Sequence, residues 1–106
     1  MPRADFPTYC ASKAFLHSWL TSLRHQLRNV PIDVLELSPP YVQTELTGSA
    51  QASDPRAMPL ESYTREAMRL LERGDHPRGE ILLEHARRWA ERDGRYDEIF
   101  AVMNPE

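Results

Sequence analysis

Tyr9 and Lys13 stand four residues apart. In a helix that spacing puts both side chains on one face, within reach of a shared ligand. A phenol titrates near pH ~10 and is a reluctant base at neutrality, whereas an ammonium one turn away favours its anion. We therefore expect Lys13 to tune Tyr9 as an acid or base. The chemistry suited to such a pair is proton transfer to or from a carbonyl oxygen while a separate carrier moves the hydride. The spacing by itself is weak, because a solvated Tyr and Lys at this interval arise often by accident. The other reactive residue types offer less. Cys10 reads as a small apolar packing residue. His17 and His25 are eight apart on one helix, too distant to share an ion, and His76 and His85 have no ligand cluster around them, so we assign no metal.

The elements that must position the pair follow from hydrophobic spacing. Leu16, Leu20, Leu23 and Leu27 recur at steps of four, three and four, with Phe15 and Trp19 on a flanking row. This predicts a helix over 9–28, capped by Thr8 and closed by Asn29 and Pro31. Ala11, Ala14, Phe15 and Trp19 widen its apolar surface, so it expects two neighbours. Ile32, Val34, Leu35 and Leu37 form a short apolar run ended by Pro39 and Pro40, the pattern of a parallel strand covered on both faces. From 41 to 59 the composition turns to Thr, Ser, Gln, Gly and Pro, predicting a long loop, functional or mobile. A second helix is predicted over 60–73 with Gly74 as its stop. A second strand falls at 80–84, and a helical pair at 85–92 and 96–103 turns Trp89, Ile99, Phe100 and Met103 inward. This order predicts an α/β fold.

The 106 residues carry thirteen basic and sixteen acidic side chains, a net charge of -3, and 41% apolar residues. Charges of both signs are interspersed, which disfavours nucleic acid as a partner. The run Glu84, Arg87, Arg88, Glu91, Arg92 and Asp93 reads as a solvated helix face with internal ion pairs. One cysteine cannot form an internal disulfide, and no run approaches the ~20 apolar residues of a membrane span, so we expect no membrane association and a cytoplasmic setting.

The run Tyr9, Cys10, Ala11, Ser12, Lys13, Ala14 closely resembles the active-site stretch of the short-chain dehydrogenase/reductase family. That family continues with an apolar strand and a turn of the form Pro, Gly, any, Val or Ile, any, Thr. Here the turn reads Pro39, Pro40, Tyr41, Val42, Gln43, Thr44, at about the expected separation. The resemblance covers nearly the whole chain and implies the carboxy-terminal part of a Rossmann-like doubly wound parallel sheet, about two strands with three to four helices, incomplete as a free-standing fold. It also implies an NAD(P)-dependent oxidoreductase acting on a small-molecule carbonyl or alcohol. Tyr9 and Lys13 would be catalytic, and Lys13, Pro39, Val42 and Thr44 would meet NAD or NADP. The backbone of Val42 and the hydroxyl of Thr44 would bond the nicotinamide carboxamide, and Lys13 the ribose hydroxyls. Pro40 departs from the family's Gly and removes a backbone donor; Pro39 and Pro40 also have a plain reading as strand terminators. The stretch 79–84 with Gly94, Arg95, Tyr96, Asp97, Glu98, Ile99 and Phe100 resembles a bacterial subgroup of oxidoreductases associated with teichoic-acid D-alanylation.

The family's phosphate-binding turn has no counterpart, since Gly48, Gly74, Gly79 and Gly94 do not form Gly-x-Gly-x-x-Gly between a strand and a helix. The family's catalytic Ser would fall before Met1. We accordingly expect residues 1–106 to be a single partial domain from a truncated reading frame, inactive alone, with 41–75 as a loop-and-helix substrate lid. The alternative is a non-catalytic association module that pairs with its own copy or a full-length relative through the helix 9–28.

Overall fold

In the computed structural model, residues 3–76, 78–83, 98 and 102 are described. The helix expected at 85–92 lies outside the described residues, and of the one expected at 96–103 only residues 98 and 102 are described, both helical. The chain divides into two compact units, Met1–Glu36 with Arg87–Glu106, and Leu37–Ala86. The described elements run α1 (Pro7–Gln26), β1 (Glu36–Ser38), α2 (Ser49–Ala52), α3 (Leu60–Arg73) and β2 (Glu80–Leu82). β1 and β2 form a two-stranded parallel sheet, so the fold is α/β and consistent with part of a Rossmann-like sheet.

Helix α1 starts two residues before the expected position. Phe6 is its N-cap, no side chain caps it, and Pro7 occupies the first turn. Proline is accepted there because its missing N–H would have had no partner in the helix and its φ is already helical. Thr8 is therefore inside the helix and not its cap. The C-terminal turn carries Arg24 and His25, suited to the negative end of the helix dipole, and the Leu27 N–H closes it on Leu23 O. No residue of α1 is buried, and Phe15 and Trp19 are 71% and 52% exposed. The breadth of its apolar surface predicted a helix requiring cover, and the described residues leave that surface open.

The strand expected over 32–37 is only three residues long, Glu36–Ser38, and Ile32, Leu35 and Leu37 remain exposed. Its partner β2 offers three residues, and each additional ladder bond would need a facing backbone group. β2 ends at Leu82 although the apolar run continues to Leu83.

The second unit has a definite core. Ile81 and Leu83, two apart on an extended chain, point the same way and are 1% and 0% exposed. They pack with Ala67 and Leu70, one turn apart on α3, with Met58 and Tyr63 at the edge. Helix α3 has the bounds its spacing predicts, and Gly74 ends it at φ 71, a left-handed conformation that glycine adopts without a Cβ clash.

Candidate functional site

In α1, Tyr9 and Lys13 lie together as their spacing demands. The Lys13 ammonium sits 5.4 Å from the centroid of the Tyr9 ring, and both side chains are exposed. A cation at that distance from an aromatic face is attracted by the ring quadrupole and stays close to the phenol. Ser12 turns inward on the helix, donating from its hydroxyl to Tyr9 O at 2.7 Å. The Cys10 sulfur accepts a hydrogen bond from the Arg3 backbone N–H at 3.3 Å, so it helps hold the chain that leads into the helix. Elsewhere in the same unit His17 Nδ1 and Glu36 Oε2 are 2.7 Å apart, and Arg24 Nε donates to Val34 O at 2.9 Å. Both contacts fasten the segment after α1 back onto the helix. They join residues 19 and 10 positions apart, separations no helical spacing rule anticipates.

The second group of expected site residues lies in the other unit. Pro39 follows β1 directly and ends it. The chain then makes an isolated parallel bridge between Val42 and Met58, in which Met58 N–H donates to Tyr41 O at 2.8 Å and Gln43 N–H to Met58 O at 2.9 Å. Val42 is buried. Its carbonyl and the Thr44 hydroxyl converge on one nitrogen, Gln51 Nε2, at 2.8 and 3.2 Å. The side-chain amide of Gln51 thus engages both acceptors at once.

The stretch 41–59 is thus organised beyond what its composition indicated. Helix α2 lies inside it, and a polar cluster closes it. Tyr41 Oη donates to Asp54 Oδ2 at 3.1 Å, while Arg56 donates to the same carboxylate from its backbone N–H, Nε and Nη2 at 2.9, 3.1 and 2.8 Å. The hydrogen bonds from Arg56 hold the Asp54 carboxyl well below the usual carboxylate range, with Tyr41 adding to the effect. Desolvation, then the neighbouring carboxylate, pushes the Tyr41 phenol up. Gln51 and Asp54 were not singled out from sequence. Asp54 had a legible signal, since an Asp before a Pro begins a turn by bonding its own backbone two residues on. Gln51 had none, being a lone amide between two alanines.

The profile of the short chain dehydrogenase family matches residues 1–55, slightly more than half of the chain and including the Tyr9–Lys13 pair and the turn through Thr44. This chain belongs to the short chain dehydrogenase family. It is 35% identical over 108 aligned residues, 99% of its own length, to "Uncharacterized oxidoreductase DltE" of Bacillus subtilis (strain 168). It is also 37% identical over 71 residues, 67% of its length, to an "Uncharacterized oxidoreductase" of Myxococcus xanthus (strain DK1622). The chain spans 42% and 26% of the lengths of these two relatives. No solved structure matches it significantly. Among the described residues no helix is long and apolar enough to cross a membrane.

Proposed function

We propose that these residues supply the acid/base pair and the nicotinamide contacts of an NAD(P)-dependent oxidoreductase, working on a small-molecule carbonyl or alcohol in the cytoplasm. The observation that carries this is the Lys13 ammonium held 5.4 Å from the Tyr9 ring on an exposed helix face, in a member of this family. A bound nicotinamide supplies or takes the hydride. In the reducing direction Tyr9 Oη gives its proton to the carbonyl oxygen, and the Lys13 charge stabilises the phenolate left behind. In the oxidising direction the proton returns to Tyr9. Lys13 also has three donors with which to hold ribose hydroxyls. Val42 and Thr44 receive the carboxamide, and Pro39 sets the course of the chain into that turn. The loop and helix at 41–75 act as the substrate lid, with Asp54 tying Tyr41 and Arg56 together within the loop. Phosphate recognition has no Gly-rich turn within these residues, so the affinity this chain provides belongs to the nicotinamide end.

The test is a fluorescence titration of residues 1–106 with NADH, NADPH and reduced nicotinamide mononucleotide. Saturable binding of similar strength for all three is expected, weakened at least about tenfold by Lys13→Ala. Tyr9→Phe should leave binding intact, and in any preparation that reduces a carbonyl it should cost about 10²–10⁴-fold in turnover, the usual share of general acid catalysis. Binding indifferent to Lys13, or turnover indifferent to Tyr9, would sink the proposal.

A second role is favoured by the exposed Phe15 and Trp19, which suit α1 to pairing with its own copy or a full-length relative. Sedimentation of wild type beside Trp19→Ser tests it: an association that the substitution does not weaken rules α1 out as the contact.

A further inference from the structure

Gln51 is the only polar residue among the buried side chains described, at 7% exposure. Both ends of its amide are used. Nε2 donates to Val42 O at 2.8 Å and to Thr44 Oγ1 at 3.2 Å, while Oε1 accepts from Thr47 N–H at 3.1 Å and from the Thr47 hydroxyl at 2.6 Å. These partners fix which end is which. A backbone carbonyl only accepts, so the NH2 must face Val42, and a backbone N–H only donates, so the amide oxygen must face Thr47.

The group seated on Val42 and Thr44 is therefore a primary carboxamide, and a nicotinamide ring carries the same functional group. One nitrogen already satisfies both acceptors, and Val42 is 6% exposed. A second amide nitrogen cannot occupy that point while Gln51 holds it. Helix α2 has a single turn, its other three residues are exposed, and the chain enters it through Gly48 at φ 115, with nothing within 4 Å of where a Cβ would stand. A short turn behind a glycine can swing outward and give the buried amide to water, which replaces its hydrogen bonds.

We propose that Gln51 is an internal stand-in for the nicotinamide carboxamide, an autoinhibitory contact that must withdraw before the cofactor's amide can reach Val42 and Thr44. It rests on the assignment of those two residues to the carboxamide. Gln51 then sets cofactor affinity through the fraction of time it vacates the position, because apparent affinity falls in proportion to the population of the competent state.

The experiment titrates free nicotinamide into ¹⁵N-labelled 1–106, following the Gln51 side-chain NH2 resonances and the dissociation constant. Gln51→Ala, Gln51→Met and Thr44→Val are run in parallel. Gln51→Met keeps length and apolar bulk but has no donor. The expected result is that nicotinamide shifts the Gln51 NH2 signals toward those of a solvated amide. Gln51→Ala and Gln51→Met should bind about tenfold more tightly, the factor for a position occupied about nine-tenths of the time, and Thr44→Val should weaken binding. Equal or weaker binding by both Gln51 variants, with Thr44 still required, overturns the stand-in and leaves the carboxamide assignment standing. Binding by none of the four chains removes that assignment and the stand-in with it. If neither Gln51 variant folds, Gln51 is a structural strut and the proposal is likewise overturned.

Discussion

Helix α1 and the loop from Tyr41 to Pro59 are supported in opposite ways. The helix carries the Tyr9–Lys13 pair on a regular backbone with no buried residue. The loop has little regular structure, yet buries Val42, Gln51 and Ala57 and is closed by Tyr41, Asp54 and Arg56. A helix satisfies its backbone hydrogen bonds internally and can present side chains at fixed spacing before anything packs against it. A loop has no such ladder, so its backbone polar groups must find side chains, and the residues that serve them become the determinants of its shape. Chemistry that needs two side chains at a set interval can therefore be read from a helix. Chemistry that needs converging backbone groups depends on whatever stitches the loop.

The contrast is broken most forcefully at the core beneath α3. Leu83→Ala removes a fully buried side chain and should cost about 2–5 kcal/mol in urea unfolding, whereas Phe15→Ala should stay within about 0.5 kcal/mol. Equal costs would show that α1 is packed as tightly as the second unit.

A smaller effect should follow pH. A carboxyl held below its ordinary range in the folded chain contributes stability fully present above its unfolded pKa of about 3.9, and that stability is lost as pH falls toward the lower folded value. The Asp54 carboxyl is shifted in that direction by Arg56. Hydrogen-exchange protection of the Arg56 amide should accordingly be flat from about pH 8 to about pH 5 and decline below about pH 4. In Asp54→Asn it should be lower and without that decline. A profile that changes near neutral pH would assign the closure of the loop to another group.

The smallest expected effect is at the start of α1. Thr8→Ala should change stability by less than about 0.5 kcal/mol, where loss of a true N-cap costs about 1 kcal/mol. A full capping cost in thermal unfolding would place the helix start at Thr8 after all.

The legible parts of the sequence were those fixed by short-range geometry. Steps of three and four gave both long helices, missing the start of α1 by two residues because Pro7 is as acceptable in a first turn as a threonine is in a cap. The end of α3 was readable from Gly74, since few other residues take that φ. The strands were recognisable as apolar runs, but their lengths were not. A run of Ile, Val and Leu states only that a segment would pair, and pairing is limited by the backbone of its neighbour. Tyr9 and Lys13 share a face because one helical turn separates them, but they were singled out by the family-like run from Tyr9 to Ala14. Val42 and Thr44 were reached through family resemblance and not from periodicity.

By itself, then, the sequence determined the two long described helices, the shared face of Tyr9 and Lys13, and the family. Helical neighbours sit three or four residues apart, and the motif residues are local in the chain. Only the tertiary structure decided that Ile81 and Leu83 meet Ala67 and Leu70, that His17 meets Glu36, and that Gln51 seats its amide on Val42 and Thr44. These contacts depend on where the chain turns and which backbone groups are left needing partners, and no local spacing encodes either.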